Sequence, residues 1–281
     1  MPRTTLALTS FVSGEFSPKM DGRTDFEKYS SGAKTLENFL VHPQGAATRR
    51  VGTQFIAEVK SSAAKTRLIP FEFSTTQTYI LEFGNTYIRF FKDKGQILSG
   101  GSAYEISSPY LTAELFDIKF AQSADVMYIT HPNHEVMKLS RTGHTSWTLA
   151  EVAFTDGPYL ATNTTTTTLT PASASVATGV NITASAIVGI NGGTGFQTTD
   201  VGRIISFNSG KAKITARTST TVVVCTITTA FTNTNAKTDW NLGAFSDTTG
   251  HPSCVSFFEQ RLVFAGTTDE PQTLFFSKAG D

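Results

Sequence analysis

Apolar and polar positions follow two different periods along this chain. Between Arg23 and Gly45 the period is helical. Phe26, Tyr29, Ala33, Leu36 and Leu40 recur at steps of three and four, which predicts one apolar face of a helix. Thr24 with Glu27 three residues later fits a capping box, and "HPQG" (42–45) supplies the stop. Gly32 weakens such a helix by about 1 kcal/mol relative to alanine, so two shorter turns are an alternative. Just ahead, "SGEFSPKMDG" (13–22) is a polar leader of turn residues and both charge signs.

From Thr66 the period shortens to that of strands. "TRLIPFEFS", "TQTYILEFG", "NTYIRFFKD" and "GQILS" are short apolar runs separated by Ser, Thr, Gly and Asn turn signals. The cadence returns from Phe116 ("FDIKF", "VMYIT", "VMKLS") and again from Pro252 ("RLVFAG", "TLFFS"). The first two units start about 50 residues apart, a spacing that suits a four-stranded propeller blade. A β-sandwich gives much the same local pattern.

Residues 155–245 interrupt this series with only 8 charged residues in 91, and they are rich in Thr. "TNTTTTTLT" reads as an exposed polar strand or a flexible connection. "FQTTDVGRIISF", "GKAKITAR", "TTVVVCTIT" and "WNLGAF" read as strands of an inserted barrel, Thr being favoured on solvated sheet faces. The fold class expected is therefore mainly β. It comprises a propeller-like or sandwich domain, an N-terminal helix-containing arm and an inserted small β-barrel. The divisions expected are the arm (1–60), two blade-like units (61–154), the Thr-rich insert (155–245) and a third unit (246–281). A closed propeller needs at least four blades. A third unit ending near Asp281 thus predicts the N-terminal part of a longer protein, or a chain completed by neighbours.

Composition narrows the functional classes. The 281 residues can bury a sizeable core, and 39% hydrophobic with 16% charged residues describes a folded chain. The 22 Phe reinforce the strand reading. The formal net charge is zero, so no global basic field points to nucleic acid or to an anionic membrane. Cys225 and Cys254 lack a CxxC or a His-paired spacing and are expected to be buried thiols. "MPRTTLALTSFVSGEF" has no sustained apolar region and predicts no signal peptide, and the uncharged stretch 157–199 is too polar for a membrane span.

Catalytic signatures fail in turn. There is no GxSxG and no HExxH. "GINGGTGFQ" (189–197) lacks the dinucleotide spacing, and "SGKAKIT" lacks the upstream Gly of a P-loop. "HPNHE" sets His131 and His134 three apart beside Glu135, a conceivable metal site, although Pro and Asn there serve a turn equally well. Glu15, Asp21 and Asp25 share a Gly/Pro-containing arm with Lys19 and Arg23, which favours charge pairing or partner contact over acid–base work. Arg49-Arg50 is too short a basic step for a nucleic-acid patch and suits acidic groups on a neighbour. No catalytic residue, metal or cofactor is expected.

The residues Phe11, Gly14, Glu15, Ser17, Pro18, Gly22, Arg23, Asp25, Tyr29, Gly32, Asn38, Pro43, Gly45, Arg49, Arg50, Gly52 and Thr53 form a spaced pattern. That pattern resembles the N-terminal signature of the tail nozzle proteins of short-tailed bacteriophages, also called tail tubular protein B or tail stabilisation proteins. Trp240–Asp281, with its Gln-Arg-Leu-x-Phe-Ala-Gly-Thr run, resembles a mid-chain segment of the same family. The two blocks cover about a third of the chain.

The resemblance implies a non-enzymatic virion component, assembled in the host bacterial cytoplasm and residing in the tail. Six copies would form a ring below an adaptor (head-to-tail connector) protein, conduct double-stranded DNA without sequence-specific binding, and carry fibres or spikes. A neutral chain suits a channel that must not grip phosphates. In that picture Glu15, Pro18, Arg23, Asp25, Tyr29, Asn38, Arg49 and Arg50 are contacts to the adaptor or the next subunit. Two other readings stand beside it. One is a host-surface carbohydrate-binding adhesin, which needs exposed aromatics among Phe196, Phe207, Phe231 and Trp240. The other is a tail-associated glycan hydrolase, for which the sequence offers no carboxylate pair.

Overall fold

A computed structural model describes residues 7–279. Residues 1–6, where the signal-peptide reading begins, and 280–281, which include the terminal Asp281, lie outside the described residues. The protein is mainly β, with 42% strand, no α-helix among the described residues, and a sheet curled into a half-barrel. It divides into two compact units, Met1–Phe55 and Ile56–Asp281.

The first unit corrects the helix expected between Arg23 and Gly45. Its elements are β1 (Gly14–Glu15), two 3₁₀ turns (Pro18–Met20 and Glu27–Ser31), β2 (Gly32–Ala33), β3 (Phe39–Val41) and β4 (Ala47–Arg49). β1 pairs in parallel with β2, and β3 pairs antiparallel with β4. The physical reasons are local. Thr24 does not cap; the residue ahead of the second turn is Phe26, without a side-chain cap. The hydroxyls of Ser30 and Ser31 donate back to the carbonyls of Glu27 and Lys28, which competes with helix continuation. Gly32 is extended and joins β2. Asn38 takes a left-handed φ of 64° and turns the chain into the β3–β4 hairpin. The apolar stripe also has no core to pack on here, and amphipathic burial supplies most of a helix's stability. Tyr29 instead stacks on Phe16 at 5.4 Å.

In the second unit β5 (Arg67–Ser74), β6 (Gln77–Gly84), β7 (Tyr87–Lys92), β8 (Gly95–Gln96), β9 (Leu98–Ser99), β10 (Ser102–Ala103) and β11 (Glu105–Ser107) follow in order. β11-β7-β6-β5 form a sheet, with β8 on β7. β12 (Lys119–Ser123), β13 (Val126–His131), β14 (His134–Gly143) and β15 (Ser146–Glu151) form a four-stranded antiparallel meander. Alternate residues of both sheets enter one core, including Ile69, Phe71, Leu81, Phe90, Ile129 and Leu139. Trp147 stacks on Phe90 at 4.5 Å and meets the edge of Phe71 at 4.8 Å. Such aromatics each contribute about 1.5–3 kcal/mol through burial.

The Thr-rich segment supplies β16 (Leu169–Pro171), β17 (Val180–Ala184), β18 (Ile204–Phe207), β19 (Gly210–Arg217), β20 (Val222–Thr229) and β21 (Asn241–Leu242). Their order is β16-β17-β20-β19-β18-β21, an open path with its own core of Ile182, Ile205, Ile214, Val223 and Trp240. Thr226 and Thr228 share the outward positions of β20 with Val222 and Val224, β-branched residues that suit a half-buried sheet. β22 (Cys254–Phe258), β23 (Arg261–Ala265) and β24 (Leu274–Phe276) close the series as a three-stranded meander. Leu262 and Phe264 of that meander pack with Val136 of β14. Cys225 is buried as expected but Cys254 is exposed, because it opens β22 on the solvent face.

Candidate functional site

The eight arm residues singled out from the sequence all lie in the first unit, and most of them shape it. Pro18 opens the first 3₁₀ turn, where its missing N–H costs nothing. Glu15 Oε2 accepts from the Leu36 N–H at 2.8 Å, tying the leader to the segment after β2. Arg23 grips Asp25 through two bonds of 2.8 Å, and this guanidinium holds the Asp25 carboxyl below the usual carboxylate range. Tyr29 Oη accepts from the Gly22 N–H at 3.3 Å. Asn38 Oδ1 accepts from Arg50 Nε at 2.6 Å and so locks the mouth of the β3–β4 hairpin. Arg49 ends β4 opposite Phe39 and stays exposed. Asp21 pairs with Lys34 at 2.9 Å.

The unit they shape has almost no interior. Among the described residues 7–55, Gly32 and Gly45 alone are buried. Leu8, Val12, Phe26, Phe39, Leu40 and Val41 are exposed, Val51 is 85% exposed and Phe55 76%. Scattered surface apolar residues need no explanation, but a whole unit whose large apolar side chains face outward marks an interaction surface.

Two clusters in the second unit carry chemistry. At the β13–β14 turn, His131 and His134 are cross-strand partners on one face. The carboxylate that joins them is Glu114, not the sequence neighbour Glu135. Glu114 Oε2 lies 2.8 Å from His134 Nε2 and also accepts from the Leu111 N–H at 2.8 Å. Burial holds His131 below the ordinary histidine range, and the neighbouring His134 pushes it the same way. Glu135 alternates to the opposite face of β14 and reaches Glu151 of β15. Desolvation, followed by the adjacent Glu151, raises Glu135 to about 7. Asp247, His251 and Lys213 line the same cavity, whose volume of about 70 Å³ has room for a few water molecules.

Neither carboxylate pairing was readable from local spacing. Glu135 and Glu151 meet because Met137 faces Glu151 in the β14–β15 ladder, which makes them diagonal neighbours once the register is known. Glu114 lies 17 residues before His131 in a connecting turn, and no periodicity marks it. The aromatics an adhesin would have needed are core: Phe196, Phe207, Phe231 and Trp240 are all buried.

No family model matches the chain, and no curated protein matches it.

Proposed function

We propose that this protein is a structural subunit of a short-tailed phage tail, of the nozzle type, which assembles through its N-terminal arm into a ring. The observation that carries the reading is the first unit itself. A hydrogen-bonded unit with two buried glycines and eight large exposed apolar residues gains too little burial to offset its own conformational entropy. Contact with other chains supplies what it lacks. The motif residues that resemble the nozzle signature are the ones that shape this unit. They present the surface, while Phe39, Leu40, Val41 and Val51 form it.

In this reading six copies surround a channel for double-stranded DNA below an adaptor ring and provide a platform for fibres or spikes in the virion tail. The balanced charge supports passage of DNA without retention. The successive antiparallel meanders are blades of a propeller-like domain, and the six-stranded Thr-rich sheet is a small domain inserted into it.

The test is electron microscopy of the purified chain, alone and with its tail neighbours, beside a variant lacking residues 1–25. Sixfold rings are expected for the intact chain, with a folded but unassembled variant. Normal assembly of the truncated chain would remove residues 1–25 from the proposal, and normal assembly of a Leu40→Asp, Val51→Asp variant would remove the rest of the arm. A persistent monomer with affinity on a glycan array would replace the proposal with an adhesin.

A further inference from the structure

Independently of assembly, we propose that Glu114, His131 and His134 bind a borderline divalent transition ion, Zn²⁺ foremost, as a structural staple. One ligand atom from each residue lies within 4.8 Å of the others. Three ligands around Zn²⁺ at bond lengths of 2.0–2.2 Å stand about 3.4 Å apart, so small side-chain rotations close the set. The backbone presents them well. The two histidines leave one face at the end of a hairpin, and Glu114 comes from the turn that packs beside it.

A second observation, separate from the cluster itself, points to a ligand. His131 is 1% exposed, and its Nε2 has no partner among the described residues. The Tyr110 ring lies against both imidazoles, and its fully buried hydroxyl is also unpartnered among the described residues. A buried ring nitrogen without a partner is rare in folded proteins and calls for a ligand. Two imidazoles with one carboxylate favour Zn²⁺ or Co²⁺ over Ca²⁺ or Mg²⁺, which prefer all-oxygen sets. The open fourth position is filled by water.

Binding has one local consequence. The Asn133 N–H now donates to His131 Nδ1 at 3.1 Å. Coordination through Nε2 shifts the ring hydrogen to Nδ1 and breaks that single neutral bond. The ion would then fasten the turn around Glu114, which connects the two sheets, to the β13–β14 hairpin.

The experiment uses the full chain freed of metal by chelator and titrated calorimetrically with Zn²⁺, with Ca²⁺ and Mg²⁺ as controls. Expected are one Zn²⁺ per chain, a melting temperature that climbs with free Zn²⁺, and a shifted Asn133 amide resonance. Glu114→Gln and His134→Gln, both at half-buried positions, should each weaken binding on the order of 100-fold or more. Their unfolding in chelator shows whether they remain folded. Absence of saturable Zn²⁺ binding by the unmutated chain overturns the proposal and leaves water as the partner of His131 Nε2. Zn²⁺ binding that survives either substitution, or leaves the Asn133 amide in place, overturns it as well.

Discussion

Asp200→Ala should be among the most damaging single changes in the six-stranded sheet. Asp200 and Arg203 form an ion pair of 2.9 Å in which both side chains are 0% exposed. Asp200 Oδ2 also accepts from the Gln197 N–H and from Asn191 Nδ2, each at 2.7 Å. Arg203 donates further to Asn191 Oδ1 at 2.7 Å and to the Gly243 carbonyl at 2.6 Å. The pair thus fastens two loops and the segment just after β21 to the start of β18. Alanine at 200 removes the acceptor of three bonds and leaves a buried guanidinium, one of whose nitrogens, Nη2, already has no partner among the described residues.

Breaking a buried pair from one side costs about 3–5 kcal/mol, mostly because the remaining charge stays desolvated. That corresponds to a fall in melting temperature of about 6–20 °C. Asp200→Ala combined with Arg203→Met removes both charges and should recover at least about 1 kcal/mol. The chain's two tryptophans lie in different cores, Trp240 in the six-stranded sheet and Trp147 between the first two sheets. Urea unfolding followed by Trp240 fluorescence in a Trp147→Phe background therefore reports on the affected sheet. A loss below about 1 kcal/mol for Asp200→Ala, or a double variant no more stable than the single one, would refute this account of the pair.

Other consequences follow from single sites. Glu135 is protonated up to about pH 7 when folded and up to about 4.5 when unfolded. Its contribution is therefore fully present below about 4.5 and is lost as pH rises towards 7. Because the group is partly solvated, the effect should be about 1 kcal/mol, and Glu135→Gln should flatten that part of the stability–pH curve; an unchanged slope would contradict it. A Cβ at Gly210 would sit 2.8 Å from the Phe231 backbone, whereas one at Gly143 meets nothing closer than 3.5 Å. Gly210→Ala should cost about 1–3 kcal/mol in chemical denaturation, and Gly143→Ala should be markedly milder. With a thiol reagent, Cys254 should react in the native chain. Cys225, whose thiol burial pushes up to about 12, should react only after unfolding; prompt labelling of both thiols would contradict that burial.

The strands were legible in the sequence because their cause is local. Alternation places Ile69 and Phe71, or Ile205 and Phe207, on one face whatever they later pack against. Turn residues end each run, and Thr on outward positions explains the uncharged segment without special chemistry. The helix was misread for the complementary reason. Phe26, Tyr29, Leu36 and Leu40 carry a helical spacing, but spacing becomes a helix only where a core receives the stripe. In this arm Asn38, Gly32 and the serine hydroxyls set the backbone before any core could. What the arm residues do was also hidden. Arg23 with Asp25 was foreseeable as charge pairing, whereas Asn38 with Arg50 depends on the hairpin closing.

Tertiary structure alone decided the chemistry-bearing groups. The sequence brought His131 and His134 together and offered Glu135 as their carboxylate. The pleat sends Glu135 to the other face, towards Glu151, and the folded connection delivers Glu114 in its place. Local periodicity fixes which way a side chain points, while the identity of its partner depends on segments that are distant in sequence and adjacent only after folding.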